Sequence, residues 1–212
     1  MLKIAVLPLG PIQTNCYLVY DQNLNCLIID PGEESERLIE AIESNNLKPA
    51  AVLLTHAHFD HIGAVDAIRD HFTIPVYIHE EESEWLSDPN LNGSAKYPTL
   101  PDVKNRAADH LITKEGAMGI GPFTFEVRHT PGHSPGSISF IFGEAGFAVV
   151  GDTLFRQSVG RTDLAYGDTD TLLQSIHDKL LSLDDDVVIY PGHGPATTPE
   201  AEKDTNPFLN GF

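Results

Sequence analysis

Three histidines and an aspartate fall between positions 56 and 61, in the segment Thr55-His56-Ala57-His58-Phe59-Asp60-His61. Neutral imidazoles and an ionised carboxylate are borderline ligands suited to zinc, and also to iron or manganese. The segment directly follows the apolar run Ala50-Ala51-Val52-Leu53-Leu54. In extended backbone, side chains at alternate positions share a face. His56 and His58 therefore point one way, while Asp60 and His61, where the chain turns into a helix, face a second point. One short motif can thus serve two adjacent cations.

Three further segments repeat one pattern: an apolar strand, a turn containing Gly or Pro, then a candidate ligand. Phe125-Glu126-Val127-Arg128 leads to His133 within Thr130-Pro131-Gly132-His133-Ser134-Pro135-Gly136. Phe147-Ala148-Val149-Val150-Gly151 leads to Asp152, and Val187-Val188-Ile189-Tyr190-Pro191-Gly192 leads to His193. Strand ends are where open α/β folds place binding groups, because the sheet holds them rigidly and the loops leave room. Together the segments supply five histidines and two aspartates as candidate metal ligands: His56, His58, Asp60, His61, His133, Asp152 and His193.

The elements that must position these groups are legible in outline. Ile4–Leu9, Cys16–Tyr20 and Cys26–Asp30 read as strands separated by polar turns. Asp30-Pro31-Gly32 is a turn. Glu33–Asn46 has helical spacing (Leu38, Ile39, Ile42), with acids at its start where the helix dipole favours them. Ala50–Leu54 is fully apolar, as in a strand buried on both faces. Asp60–Phe72 reads as one helix, Val76–Ile78 as a strand and Glu80–Leu86 as a short helix. Ser87–Ala108, rich in Pro and Asn, is the longest irregular stretch and a candidate flap over the site. Strands at His110–Thr113, Phe123–Arg128, Ser137–Phe142, Phe147–Val150 and Val187–Tyr190, with a helix at Thr169–Leu183, complete an α/β pattern. No composition shift marks a linker, so one domain spanning residues 1–212 is expected. Strand runs interleaved with a few helices suggest two packed sheets with helices outside, a four-layer αββα sandwich.

The bulk composition excludes several classes. The formal net charge is −18 at pH 7, which argues against binding the polyanionic backbone of nucleic acid and against docking on anionic lipid. No apolar run approaches a membrane span, and no signal peptide is visible. A cytoplasmic location is expected. Cys16 and Cys26 are the two cysteines. They read as buried reduced thiols, because a disulfide framework needs more of them.

The set His56-x-His58-x-Asp60-His61, His133, Asp152 and His193, with Asp30-Pro31-Gly32 ahead of it and Asn206-Pro207-Phe208 behind, resembles the metallo-β-lactamase superfamily. Within it the chain is similar to the small glyoxalase II-like (hydroxyacylglutathione hydrolase-like) hydrolases, over nearly its whole length. The resemblance implies the αββα sandwich with two divalent metal ions at one edge, Zn²⁺ first, with Fe or Mn as alternatives. His56, His58 and His133 would hold one ion, Asp60, His61 and His193 the other, and Asp152 would bridge them. Asp60 and Asp152 would also be catalytic. Two ions about 3.5–4 Å apart can share a water and lower its pKa toward neutrality. The implied activity is hydrolysis of S-2-hydroxyacyl thiol conjugates such as S-lactoylglutathione. A leaving thiolate, with a free-thiol pKa of about 8.5, needs less help from a general acid than an amine does.

Other residues carry weaker expectations. Asp30 and Thr55 are candidates to orient ligand imidazoles, since these usually donate their other N–H to a carboxylate or carbonyl; Asp30 serves equally well as a turn former before Pro31. His129, four residues before His133, lines the site or has a structural or ligand-supporting role. In glyoxalase II-like enzymes a basic residue at the position of Arg161 contacts the acylated thiol; a salt bridge to Asp163 is the alternative. Tyr190 and Arg156 are further candidates for that substrate pocket. His71, His79, His110 and His177 match no ligand position. Only residues 194–212 follow the last ligand, where typical glyoxalase II enzymes continue into a helical region that grips glutathione, so the thiol is left open. The partner expected is a small-molecule thioester, with no nucleic acid and no membrane, and the sequence leaves room for a homo-oligomer. A mononuclear iron persulfide dioxygenase and a lactonase on the same scaffold are the rival activities. A metal-binding protein without turnover is the rival of another class.

Overall fold

The apolar runs separated by Asp, Asn and Gly turns become strands, and in the six-stranded sheet their order along the chain is also their order in space. The computed structural model describes residues 1–99 and 101–209. Two compact units divide the chain, one of residues 1–113 with 120–122, the other of residues 114–119 with the remainder from 123.

The first unit is built on a six-stranded sheet of β1 (Lys3–Leu9), β2 (Thr14–Tyr20), β3 (Asn25–Ile29), β4 (Lys48–Leu53), β5 (Val76–His79) and β6 (His110–Ile112). β1 to β3 pair antiparallel through short turns, and β3 to β6 pair parallel. Parallel neighbours need a crossover. α1 (Ser35–Ser44) supplies the one after β3, and α2 (Phe59–Ile62) with α3 (Val65–Phe72) the one after β4. Leu38 and Ile42 of α1 and Val65 and Ile68 of α3 are fully buried in one cluster with Leu18, Ile28, Val52 and Ile78 of the sheet. The helical spacing of those apolar residues is therefore what attaches each crossover to its face.

The expected helix Asp60–Phe72 is two helices, because Gly63 comes too close to another turn. A Cβ on Gly63 would overlap the Gly32 carbonyl oxygen. Ala64 donates its N–H to Pro31 O at 3.0 Å. This contact locks the chain after α2 onto the Asp30-Pro31-Gly32 turn. α1 starts two residues later than expected, since Glu34 has a left-handed φ of 50°. Glu80–Leu86 is a 3₁₀ helix.

The stretch expected as a flap, residues 87–108, is anchored irregular structure; Leu100 lies outside the described residues. Asn92 is fully buried. Its amide donates to Trp85 O at 3.0 Å and Val103 O at 2.9 Å, while its oxygen accepts from Ser94 N and Oγ. Asn105 donates to Ile62 O at 2.9 Å. Arg69 pairs with Asp109 at 2.7 Å and Arg106 pairs with Asp70, fastening the end of the stretch to α3. Buried amides do here what apolar side chains do elsewhere in the unit.

The second unit carries a five-stranded sheet, in the order β13-β10-β9-β8-β7, from β7 (Gly116–Ile120), β8 (Phe123–His129), β9 (Ile138–Phe142), β10 (Phe147–Gly151) and β13 (Val188–Pro191). A small hairpin of β11 (Leu154–Phe155) and β12 (Ser158–Val159) follows β10. α4 (Thr169–Ser175), capped by Asp168 accepting from Thr171 N, runs on as a wider π-type turn over Ile176–Leu180. Leu172, Ile176 and Leu180 pack on Ile141, Ala148, Val150 and Ile189. Phe125, Phe140, Phe142 and Phe147 form an aromatic chain, with ring centroids 4.9–5.7 Å apart along it. β7 was not expected, because its sequence Gly-Ala-Met-Gly-Ile has too little alternation. α5 (Pro199–Thr205) was also missed, although Thr198 caps it and Pro199 starts it, a signature of a helix N-terminus. No helix among the described residues is long and apolar enough to cross a membrane.

Cys16 and Cys26 are fully buried free thiols, as expected. Burial pushes Cys26 up to about 12 and raises Cys16 well above its ordinary value, with the Asp30 charge adding to the effect on Cys16. Since the thiolate is the reactive form, Ellman's reagent should titrate neither cysteine in the native protein and both in denaturant. Asn92→Ala strands several buried polar groups, each at roughly 1–3 kcal/mol. It should lower stability by about 3 kcal/mol in urea unfolding.

Candidate metal centre

The register of the parallel strands places the candidate ligands at strand ends. β3 and β4 pair Ile29 with Leu53, and Asp30 N donates to Leu53 O at 3.1 Å. Asp30, one residue past that pair, and Thr55, two residues past it, therefore meet just beyond the sheet. Asp30 Oδ1 accepts from Thr55 N at 2.8 Å, and Oδ2 accepts from Thr55 Oγ1 at 2.6 Å and from His61 Nδ1 at 2.9 Å. The Asp30 carboxylate is buried and φ is 52°, so its turn-forming and orienting roles belong to one residue.

These bonds fix which imidazole nitrogen carries the proton. The Thr55 hydroxyl proton goes to Asp30, so Thr55 Oγ1 accepts from His56 Nδ1, 3.0 Å away. His61 donates from Nδ1 to the carboxylate. In both neutral rings the lone pair then resides on Nε2, the atom available to a cation. His61 Nε2 lies 3.3 Å from Asp60 Oδ2. Asp60 is itself held by Thr14 Oγ1, which donates to Oδ2 at 2.9 Å. His58 completes the group: its ring stands 4.9 Å from that of His56, edge to face, and 5.7 Å from Trp85. His56, His61 and Asp30 present atoms all within 4.8 Å of one another. The first unit thus assembles His56, His58, Asp60 and His61 with both orienting residues expected of it.

The second unit assembles His133, Asp152 and His193. β10 and β13 are parallel and pair Gly151 with Pro191, and Gly192 N donates to Gly151 O at 2.8 Å. Asp152 and His193 therefore leave the sheet at the same end. β9 is antiparallel to β10, with Val149 opposite Phe140, so the loop feeding β9, which carries His133, lies at that end too. His133 Nε2 and His193 Nε2 are each 3.6 Å from Asp152 Oδ2. His133 Nδ1 is 2.8 Å from Arg161 O. A carbonyl can only accept, so His133 donates from Nδ1, which in the neutral ring leaves the lone pair on Nε2.

Imidazole lone pairs thus face carboxylate oxygens at His61–Asp60 and at His133–Asp152. Two acceptors so close repel unless something positive lies between them. A divalent cation does this, and the N/O donor set is of the kind that holds zinc or iron. The residues therefore fit the group.

The remaining expected residues divide. His129 supports the His133 loop: its Nε2 donates to Pro135 O at 2.8 Å, and its N–H donates to Glu115 at 2.8 Å. Arg161 contributes its carbonyl to His133, while its guanidinium forks onto Asp163 at 2.7 and 2.8 Å. That pairing is the salt bridge held as the alternative, and the Arg161 hydrogen bond holds the Asp163 carboxyl down at about 2. Tyr190 is half-buried in β13 and packs edge-on to Phe147. Arg156 is exposed at the tip of the β11–β12 hairpin.

Sequence reasoning missed three supporting groups. Thr14 holds Asp60. Glu82, fully buried, accepts from Ala57 N at 2.6 Å and so fixes the backbone between His56 and His58. Gly160 lets the chain pass Asp152: a Cβ there would overlap the Asp152 carbonyl oxygen. The available signal was a Glu just past an apolar strand and a Gly ahead of Arg161.

The family model of the metallo-β-lactamase superfamily matches residues 9–193. The probable metallo-hydrolase YqgX of Bacillus subtilis (strain 168) is 49% identical over 211 residues, 100% of this chain and 99% of the relative. The hydroxyacylglutathione hydrolase GloC of Haemophilus influenzae is 42% identical over 210 residues, 99% of each chain. Among solved structures, the BLEG-1 B3 metallo-β-lactamase superposes with a TM-score of 0.96 at 52% identity, over 99% of this chain and 100% of that one. TTHA1623 in a di-iron-bound form gives 0.85 at 40% identity, over 97% and 100%. The chain belongs to the metallo-β-lactamase superfamily and has its fold. It is a metal-dependent hydrolase.

Orienting carboxylates typically change metal affinity 10–100-fold. Asp30→Asn keeps the turn residue but puts an amide where three donors converge. It should weaken metal binding by about that factor in competition with a chromogenic chelator, with Asp60 and Asp152 left intact.

Proposed function

We propose that the chain is a dinuclear thioesterase acting on S-2-hydroxyacyl conjugates of a small thiol, with S-lactoylglutathione the first substrate to try. His56, His58 and His133 would hold one divalent ion and Asp60, His61 and His193 the other, with Asp152 common to both. Zinc is the first candidate; the di-iron form of the 40%-identical relative speaks for iron. The observation that carries the reading is Asp152 Oδ2 placed 3.6 Å from two imidazole nitrogens, the disposition a shared carboxylate needs. When bound, the ions supply Lewis acidity at the carbonyl and a water acidified toward neutrality.

The chain's own residues do the rest. Asp30, through Thr55 and directly, aims the Nε2 atoms of His56 and His61, and the Arg161 carbonyl aims that of His133. Thr14 donates to Asp60 Oδ2 and so holds the carboxylate beside His61, where it would orient the attacking water. The thiol leaves as a thiolate, so no strong general acid is required. The GloC relative, by its name a hydroxyacylglutathione hydrolase, supports the thioester class. Buried free cysteines accord with a cytoplasmic location.

The 52% identity to BLEG-1 favours a second reading, opening of a β-lactam ring. An assay of thiol release from S-lactoylglutathione, run beside nitrocefin hydrolysis, oxygen uptake with a persulfide and elemental analysis, separates the readings. The expected result is thiol release with close to two metal ions per chain, and loss of at least about 10³-fold in kcat for Asp152→Ala together with reduced metal content. Wild-type turnover by Asp152→Ala would overturn the assignment. Oxygen uptake without thiol release would replace it with the dioxygenase.

A further inference from the structure

A cavity of about 240 Å³ in the first unit is lined by the turn between β1 and β2 on one side and by residues 101–104 on another. Its floor includes Thr14 and Asp60, the hydrogen-bonded pair whose Oδ2 atom stands 3.3 Å from His61 Nε2. The space therefore runs up to the candidate metal centre. Its walls include the apolar groups Leu9, Ile12, Phe59 and Val103. One water needs roughly 10–15 Å³ on the same measure, so the cavity is far larger than a lactoyl group requires.

Both walls are pinned from behind, so the cavity is preformed. Gly10 N donates to Glu34 at 2.9 Å, and Arg37 donates to Pro8 O at 3.0 Å, tying the turn to α1. Val103 N donates to Ser94 Oγ at 3.0 Å while Val103 O accepts from Asn92. The charge at its edge is one-sided. Away from the metal ligand Asp60, Glu33 and Asp102 line it, and the single cation there, Lys104, lies 3.8 Å from Asp102. An acyl group ending in a carboxylate would meet this negative rim and be repelled.

We propose that this cavity is the acyl pocket, and that the substrates are thioesters of neutral, apolar-tailed 2-hydroxy acids longer than lactate. The inference rests on the thioesterase reading and adds the side of the substrate that selects. In the reaction the acyl carbon–sulfur bond breaks, a carbon–oxygen bond to water forms, and the thiol takes up a proton from that water. The products are a 2-hydroxy acid and a thiol.

The experiment compares kcat/KM for glutathione thioesters of lactoyl, 2-hydroxyhexanoyl, 2-hydroxyoctanoyl and succinyl groups. In the wild type the 2-hydroxyhexanoyl ester should exceed the lactoyl ester about tenfold or more, the scale set by one or more methylenes in an apolar pocket, and the succinyl ester should be poorest. Ile12 is exposed, so Ile12→Trp narrows the mouth without disturbing the core, and it should cut the long-to-short ratio about tenfold. Glu33→Lys, also at an exposed position, should raise succinyl relative to lactoyl turnover about tenfold. Ratios that stay at their wild-type values in both variants, with lactoyl ester still hydrolysed, would overturn the pocket and leave the thioesterase reading standing. A wild type that hydrolyses no thioester would overturn both.

Discussion

The Asp30 carboxylate is surrounded by three donors and no bulk water: the Thr55 amide, the Thr55 hydroxyl and His61 Nδ1. A buried carboxylate is tolerable only when its oxygens are so occupied, and each donor it holds would be expensive to strand. The consequence travels outward. Because the Thr55 proton points to Asp30, His56 must donate to Thr55. Because His61 donates to Asp30, its second nitrogen turns toward Asp60. One buried charge thus orients two rings it does not share a strand with, and in their neutral form both offer Nε2 to a cation.

The backbone makes this possible through register. Parallel strands that finish level bring the residues just past them together, as Ile29 with Leu53 does for Asp30 and Thr55, and Gly151 with Pro191 for Asp152 and His193. Tight turns need glycine where chains nearly touch. Gly63 against Gly32 breaks an otherwise continuous helical pattern so that Asp60 and His61 ride on a single turn fixed to the sheet. Gly160 against Asp152 brings the Arg161 carbonyl to His133. In each unit an apolar strand gives rigidity, and the polar residue following it gives chemistry.

The legible part of this site was the ligand set, because donor type is a property of the residue and the spacing of His56, His58, Asp60 and His61 is local. The strands were legible for the same reason: Val52, Leu53, Val149 and Val150 are apolar whatever surrounds them. Thr14 and Glu82 were not, since a threonine at a strand start and one glutamate among several carry no mark of the partner they meet. β7 was missed because Gly116 and Gly119 blur the alternation that identifies a strand. The stretch from 87 to 108 looked loose because Asn92, Ser94 and Asn105 are turn formers in sequence, yet buried in the fold their amides and hydroxyl tie it down.

The sequence by itself determined the donor chemistry, the family and most of the strands, since these follow from residue type and short-range spacing. It also determined that Cys16 and Cys26 would sit inside as thiols, lying as they do in apolar strands. Only the tertiary structure decided which nitrogen of His56, His61 and His133 is the donor atom. It alone gave Arg161's carbonyl a task at His133 while its guanidinium went to Asp163, and it alone opened a cavity beside Asp60. Tautomers, backbone acceptors and empty volume are set by groups distant in the chain, and their positions depend on strand register and packing.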